Sequence, residues 1–292
     1  MAGTGEVELF RPDGKRLDGR DIEELRPVKM QVGVLPQADG SAYIEHGNNK
    51  IMVAVYGPRE MHPKHLTLPD RMRIRAEYRL ATFSVGERKS PAPRRREVEL
   101  SKMITESLEP SVFLERFPRS VVDIYINVLD ADGGTRAASI TAASLALADA
   151  GMPLRGLVSA VAAGKVGDKV VLDLSDSEDK YGLGDLPVAI VNQNQAITLL
   201  QADGHFTPDE LKEALDMAIR GCGQLHEMQR AALLDRYHRP DLVSDEEEPD
   251  VEEVSEEELE AIEEVDEEDN DDDDLDVDVD VSDDDNDDNG EY

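Results

Sequence analysis

The sequence has little of the chemistry on which secreted and membrane proteins depend. It contains one cysteine, Cys222, no tryptophan, seven tyrosines and five phenylalanines, and no apolar run approaches the roughly 18 residues of a membrane-spanning helix. A lone cysteine excludes a disulfide framework and a cysteine-based zinc site, and it suits a reducing compartment. The opening residues, MAGTGEVELF, lack the basic and apolar regions of a secretory signal. We therefore expect a soluble, cytoplasmic protein.

Basic residues are absent from the last part of the chain. Residues 241–292 contain 31 Asp and Glu and no Lys or Arg, so they carry most of the net charge of −35. Residues 1–240 hold the other 35 acids against all 31 bases, which leaves this body at −4. The acidic tail has too much like charge and too little apolar surface to offset chain entropy, and we expect it to be disordered. The charge that argues against a nucleic-acid partner thus belongs mainly to the tail.

Hydrophobic patterning predicts two successive sets of strands, each followed by a helix. Residues 1–26 are polar and charged, and we interpret them as an arm leading into the fold. Alternating or β-branched apolar runs predict an antiparallel meander over 27–80, and later runs predict further strands. The predicted strands are 27–34, 41–47, 50–57, 72–80, 121–129, 157–166, 169–174, 187–193 and 196–202.

Helical signals complete the pattern. Residues 96–114 have apolar positions at helical spacing, although Pro110 should kink or interrupt this helix. A run of small residues predicts a second helix that ends at Gly151. A cap signal at Thr207 opens a third, with an apolar stripe at Leu211, Leu215, Ala218, Cys222 and Leu225. We therefore expect an α+β fold with an arm at 1–26, two similar halves at 27–156 and 157–240, and a disordered tail at 241–292.

One candidate site is the glycine turn, Gly133-Gly134-Thr135-Arg136, between a predicted strand and a predicted helix. Glycine lets the backbone approach a ligand, and a helix N-terminus offers unpaired N–H groups and the positive end of a dipole. Thr135 adds a hydroxyl and Arg136 a guanidinium fork, so the turn suits phosphate. The same residues are also typical of an ordinary turn with a threonine cap and a solvated arginine.

A second candidate is an acidic loop that carries Asp176, Glu178, Asp179 and Asp185, before a strand that we expect to begin at Pro187. Paired carboxylates can hold Mg²⁺ or Mn²⁺ and leave positions for water or phosphate. One of them can instead act as a general acid. A polar hairpin loop without a ligand has the same composition, and the spacing matches no EF-hand.

The third candidate is a basic stretch. Residues 59–119 carry 14 Lys and Arg against nine acids. The loop by which the chain leaves the first predicted sheet, RKSPAPRRRE (88–97), ends at a predicted helix start. Its charge suits binding to a sugar-phosphate backbone, although a run this short is also typical of a solvated loop. With so few aromatic residues, contacts to a nucleic acid should be mainly to its backbone rather than by base stacking.

In chain order, the basic loop with Arg94, Arg95 and Arg96, the glycine turn, and the acidic segment with Asp179 and Asp185 resemble the motifs of the RNase PH family. The resemblance covers about residues 10–238 and includes RLDGR (16–20), MHPKHLTLPDR (61–71), ERKSPAPRRREVELSK (87–102), GGTRAAS (133–139) and LADAGMP (147–153). These stretches look more like the catalytic RNase PH-like subunit of the archaeal exosome than like bacterial RNase PH. The resemblance implies the RNase PH-like fold (ribosomal protein S5 domain 2-like), with two βα halves whose sheets pack against helices.

The resemblance also implies phosphorolysis. Inorganic phosphate would attack the 3′-terminal phosphodiester of single-stranded RNA and release a nucleoside diphosphate. It implies that Asp179 and Asp185 coordinate Mg²⁺ or Mn²⁺, that Asp185 protonates the leaving 3′ oxygen, and that Arg96 lies nearest the scissile group. The implied phosphate ligands are Gly134, Thr135 and Arg136, and the implied RNA ligands are Arg95, Arg96, Lys64, His65 and Arg88.

The same resemblance implies a hexameric ring of three heterodimers, in which an inactive RNase PH-like homologue alternates with the active subunit and RNA-binding subunits cap one face. Six basic faces around an axis form a charged channel, which explains how a body at −4 admits RNA. Two alternatives remain open: a free-standing RNase PH that trims tRNA 3′ ends, and a non-catalytic ring scaffold that only binds RNA. For the tail, salt adaptation and a mobile polyanion that competes with RNA both remain open.

Overall fold

The computed structural model describes residues 9–86 and 89–237, so the acidic tail and Arg88 lie outside the described residues. Within them the fold is mixed α/β, with two sheets and four α-helices. In chain order, the elements are β1 (Val28–Val32), β2 (Gly40–His46), β3 (Asn49–Glu60), β4 (Arg73–Leu80), α1 (Arg95–Leu108), β5 (Ser120–Asp130), α2 (Thr135–Asp149), β6 (Val158–Val166), β7 (Lys169–Leu172), α3 (Asp176–Tyr181), β8 (Gly184–Val191), β9 (Ala196–Leu200), β10 (Asp203–Gly204) and α4 (Pro208–Tyr237).

The first sheet has the strand order β1-β2-β3-β5-β4. Strands β1 to β3 form the predicted antiparallel meander. The prediction that the meander continues to β4 is wrong, because β5 lies between β3 and β4 and pairs with β4 in parallel. Residues 61–72 separate β3 from β4, which is much longer than a tight hairpin loop. Helix α1 then provides the crossover that parallel strands require.

The second sheet has the order β10-β8-β6-β7, with β9 also paired to β8. The strand expected to begin at Pro187 begins at Gly184 instead. It begins earlier because Asp185 and Gly184 pair with β10 on one side and with β6 on the other. Asp185 therefore lies in a strand, and the prediction that it belongs to the acidic loop is wrong.

The rest of the predicted acidic loop forms the short helix α3. Ser175 and Glu178 make a reciprocal capping box in which the Ser175 amide donates to Glu178 Oε2 at 2.9 Å. A capping box satisfies two backbone donors at a helix start, and it therefore nucleates a helix where charge composition alone suggests a loop. Asp179 consequently has a defined place on the first turns of α3.

Helix α2 is buried from Ala137 to Leu147 and packs against β2 and β3 of the first sheet and β6 of the second. Its small side chains permit this close approach, and the main core draws apolar residues from both sheets. Helix α1 ends at Leu108, just before Pro110, as predicted. Along α4 the side chain of Leu211 is 38% exposed, so the predicted apolar stripe is wrong at that end. None of the helices in the described residues has the length and apolar content needed to cross a membrane.

Candidate active site

The glycine turn, the acidic segment and the basic loop meet at one cavity. Its volume is about 270 Å³, and a wider hollow of about 550 Å³ adjoins it. Both are lined by Arg96, Arg136, Asp179 and Asp185. Residues that are distant in the sequence are thus brought together by the starts of α1 and α2, by α3 and by the first residues of β8.

Close backbone packing determines the shape of the glycine turn. Gly133 and Gly134 both have left-handed backbone, with φ of 67° and 66°. A Cβ atom on Gly133 would lie 2.6 Å from the Asp176 amide nitrogen and the Ser175 carbonyl carbon, so only glycine lets the turn approach α3 this closely. Helix α2 begins directly afterwards, and no side chain of the described residues caps it. Its first N–H groups are therefore free to bind an anion.

Two side chains that the sequence did not single out hold the polar groups of the turn. The Tyr78 hydroxyl, almost fully buried, donates to Thr135 Oγ1 at 3.0 Å. One terminal nitrogen of Arg136 donates to the amide oxygen of Gln201. Among the described residues, Arg136 Nε is buried without a hydrogen-bond partner. A buried guanidinium N–H without a hydrogen-bond acceptor costs free energy unless a ligand supplies the acceptor. The buried Nε of Arg136 therefore indicates an anion site.

The two carboxylates have perturbed acidity. Burial raises the pKa of Asp179, Asp176 adds to the rise, and the charges of Arg96 and Arg136 oppose it. Burial also raises the pKa of Asp185, the negative charge of Asp179 raises it further, and Arg136 opposes the rise. Each ionised carboxylate therefore raises the energy of the other, and either a proton or a cation relieves the repulsion.

The donor set fits a divalent cation that binds together with a phosphate. In the described part of the chain, no group of three or more His, Cys, Asp or Glu side chains forms a complete metal site. Mg²⁺ is usually held by one or two carboxylates plus substrate phosphates and water. Asp179 and Asp185 provide two carboxylates, and the phosphate-suited glycine turn lines the same cavity.

The arginines of the basic loop differ in their surroundings. Arg96 lines the cavity, whereas the side chain of Arg95 is 93% exposed and its Nε donates to Glu99 Oε1 at 2.7 Å. Lys89 was not predicted as a site residue but also lines the cavity, and burial lowers the pKa of its ammonium group. The pattern of basic residues does not show which of these side chains lines the cavity, because that depends on the direction in which the loop enters α1.

Lys64 and His65 lie in an exposed 3₁₀ turn away from the cavity. Lys64 Nζ is 2.9 Å from Glu60 Oε1, and Glu60 pairs with Ser120 at the start of β5. The glycine turn follows the other end of β5, so the length of that strand, roughly 30 Å, separates it from Lys64. The structure therefore does not bring these two residues to the cavity, and Arg88 lies outside the described residues.

Family models and individual relatives both match most of this chain. The model of the 3′ exoribonuclease family, domain 1, matches residues 24–153, and that of domain 2 matches residues 156–221. The chain is 57% identical to exosome complex component Rrp41 of Thermococcus onnurineus, over 81% of this chain and 95% of that protein. It is 52% identical to the Rrp41 component of Nitrosopumilus maritimus, over 78% of this chain and 94% of that protein.

Solved structures share the fold. A chain from the structure titled Archaeoglobus fulgidus exosome with RNA bound to the active site matches with a TM-score of 0.64 and 26% identity, over 74% of this chain and 92% of that chain. Rice Rrp46 matches with a TM-score of 0.68 and 23% identity, over 75% of this chain and 99% of that chain. The second similarity concerns the fold alone.

Proposed function

The chain belongs to the 3′ exoribonuclease family, and from this premise we propose that it is the catalytic subunit of an archaeal exosome. It shortens single-stranded RNA from the 3′ end, uses inorganic phosphate as co-substrate and releases nucleoside diphosphates. Because one phosphate ester is exchanged for a diphosphate, the reaction also runs backwards as 3′ polymerisation when diphosphates are abundant and phosphate is scarce.

The observation that carries the proposal is that an anion site and a pair of carboxylates line one cavity. Hydrolysis of RNA uses water as the nucleophile, whereas phosphorolysis uses inorganic phosphate instead and therefore requires a binding place for a second phosphate. The glycine turn, with the buried and partnerless Arg136 Nε, supplies a place of that kind. A scaffold that only binds RNA has no use for this combination.

Each part of the site has a distinct role in the proposed reaction. The N–H groups at the start of α2, the Thr135 hydroxyl and Arg136 bind the attacking phosphate. Arg96 neutralises the terminal phosphodiester, so that two anions can approach in line. Asp185, with its raised pKa, donates a proton to the leaving 3′ oxygen. Asp179 and Asp185 would hold Mg²⁺ or Mn²⁺, and the bound ion would stabilise charge on the transferring phosphoryl group.

The proposed assembly is a hexameric ring in which this subunit alternates with an inactive homologue, with RNA-binding subunits capping one face. Arg95, Arg88, Lys64 and His65 then contact RNA further from the reaction centre. The exposure of Arg95 and of the turn at Lys64 supports this role, since neither is used by the core. The division into halves at 27–156 and 157–240 is part of the same proposal.

The identity of the released product tests the proposal. The purified complex is incubated with single-stranded RNA and Mg²⁺, with and without inorganic phosphate, and the products are separated by chromatography. We expect nucleoside diphosphates only when phosphate is present. Asp185→Ala should abolish their release while the complex still assembles. Asp168→Ala, in the exposed turn between β6 and β7, is the matched control. Phosphate-independent release of monophosphates would falsify the mechanism.

The same preparation distinguishes the two alternatives. A native mass that corresponds to six copies of this chain would favour a free-standing RNase PH, whereas two alternating subunits favour the exosome. Absence of any phosphate-dependent product from the intact complex would favour a non-catalytic scaffold.

A further inference from the structure

A buried ionic cluster lies behind the cavity, and the proposed mechanism uses none of its members. It consists of Arg16, Arg20, Arg26, His46, Asp173 and Glu178, each less than one tenth exposed. Burial alone would raise the pKa of Asp173, but His46 and Arg26 lower it far below its ordinary range, so this carboxylate stays ionised. Burying several charges costs free energy that their pairing often only just recovers. A role in geometry accounts for the cluster better than stability does.

One side of the cluster holds the glycine turn. Arg26 donates two hydrogen bonds to the Asp173 carboxylate, at 2.7 Å and 3.0 Å. Its two terminal nitrogens also donate to the carbonyl oxygens of Asp132 and Gly133. The fully buried Asn49 donates to the Gly133 oxygen at 2.6 Å and accepts from the Asp132 amide at 2.6 Å. The carbonyl groups of Gly133 and of the preceding residue, Asp132, are therefore both held by hydrogen bonds.

The planarity of the peptide bond gives this contact a consequence for the cavity. In a trans peptide, the C=O of one residue and the N–H of the next point in opposite directions. Since the carbonyls of Asp132 and Gly133 point towards Arg26 and Asn49, the N–H groups of Gly133 and Gly134 point away from them. Arg26 and Asn49 thereby determine the direction of the donors that are available to an anion.

The other side of the cluster holds α3. Arg16 is fully buried, and its guanidinium makes a bidentate pair with Glu178, with Nε 2.7 Å from Oε1. Further N–H groups of Arg16 donate to the carbonyl oxygens of Leu172 and Asp173. Glu178 in turn caps α3 at Ser175, and Asp179 is the next residue along the helix. The N-terminal arm thus fixes the helix that presents a metal-binding carboxylate.

We propose that Arg26 and Asn49 are positioning residues for the attacking phosphate, and that Arg16 is a positioning residue for the Asp179 carboxylate. Asp173 directly follows β7; its carboxylate accepts from Arg26 and its carbonyl oxygen accepts from Arg16, so Asp173 links the contacts that hold the glycine turn to those that hold α3. The inference rests on the proposed function, because it requires phosphate to bind at the glycine turn.

The test compares single substitutions in the assembled complex. Arg26→Lys keeps a charge beside Asp173 but loses the fork that reaches both carbonyls, and Asn49→Ser keeps the ionic cluster intact but is too short to reach Gly133. We expect each to raise the KM for phosphate about tenfold, the effect of about one lost hydrogen bond, while the KM for RNA changes less than twofold. Arg16→Lys should instead lower kcat and raise the Mg²⁺ concentration for half-maximal rate.

The matched control is Arg20→Lys. Arg20 is as buried as Arg26 and also contacts Asp173, but its other contacts are with Asp18, the Glu24 carbonyl and, at 4.0 Å, Glu178, not with the glycine turn. Its KM for phosphate should stay within twofold of wild type. A readout independent of activity is the rise in Tm on adding inorganic phosphate, which reports binding to the native state. This rise should be reduced in Arg26→Lys and Asn49→Ser and retained in Arg20→Lys.

Three results would overturn the inference. The first is an unchanged KM for phosphate in Asn49→Ser. The second is an equal rise in the KM for phosphate in Arg26→Lys and Arg20→Lys. The third is a change in kcat without a change in the KM for phosphate in Arg26→Lys. If Arg26→Lys does not fold, the Asn49 variant alone decides between confirmation and rejection. Failure of the proposed function looks different, because wild-type complex would then show no phosphate-dependent product at all.

Discussion

Replacing Gly133 by alanine separates the conformational role of this glycine from its steric role. Gly133→Ala and Gly151→Ala both place a side chain on left-handed backbone, with φ of 67° and 70°. Each therefore costs about 1–2 kcal/mol, or a few degrees in Tm at about 2–4 °C per kcal/mol. Nothing lies within 4 Å of a Cβ on Gly151, whereas a Cβ on Gly133 meets backbone atoms at 2.6 Å.

The steric difference predicts a loss of activity in Gly133→Ala alone, and an overpacking cost of about 1–3 kcal/mol that Gly151→Ala does not have. Ordinary contact begins at 3.4 Å, so the glycine turn and α3 must separate by about 0.8 Å in Gly133→Ala, and a misplacement of about 1 Å can cost about 100-fold in rate. We expect nucleoside diphosphate release to fall by about that factor in Gly133→Ala, with a Tm a few degrees below that of Gly151→Ala, and Gly151→Ala should keep near-wild-type activity. Equal activities for the two variants, assayed well below both Tm values, would refute the reasoning.

Three further predictions concern single side chains. Arg96→Ala should lower kcat/KM for RNA by at least tenfold, the result of about 1.5–3 kcal/mol for a charge-assisted contact, whereas Arg95→Ala should change it by less than threefold, and similar losses would contradict the assigned positions. Asp185→Asn should abolish phosphorolysis yet raise the Tm at neutral pH, because an ionised carboxyl whose pKa is raised in the folded state destabilises that state. This gain in Tm should vanish below about pH 3.9, the ordinary pKa of an aspartate, because the wild-type carboxyl is protonated there. Calorimetry across pH measures the gain, and a gain that persists below about pH 3.9 would contradict the prediction. Cys222, fully buried and with a pKa raised to about 12, should resist iodoacetamide at pH 8 in the native protein and react on unfolding, as mass spectrometry can show; rapid native alkylation would count against its burial.

Local signals in the sequence predicted the elements whose causes are local. The Thr207 cap forms as expected, with the Glu210 amide donating to Thr207 Oγ1 at 3.3 Å. Pro110 ends α1 because proline cannot continue a helical hydrogen-bond pattern. The sequence predicts the glycine turn between a strand and a helix, since left-handed backbone before a helix is a property of a few consecutive residues.

The composition of the N-terminal arm does not indicate how its arginines are placed. Polar and charged residues predict only an arm that leads into the fold, whereas Arg16, Arg20 and Arg26 are buried in the structure. Their burial depends on Asp173 and Glu178, which lie about 150 residues further along the chain. No local pattern can indicate such pairing, because the stabilising partner is chosen by the fold.

By itself the sequence determined the local pieces of this protein: the starts and stops of α1, α2 and α4, its glycine turn, its acidic and basic segments, and the motifs that resemble the RNase PH family. Only the tertiary structure decided that β5 separates β3 from β4, that Asp185 lies in a strand opposite Asp203, and that Arg96 but not Arg95 reaches the cavity. The physical reason is that strand pairing, burial of charge and the shape of a cavity depend on contacts between residues distant in the chain, whereas caps, turns and breaks depend on neighbours.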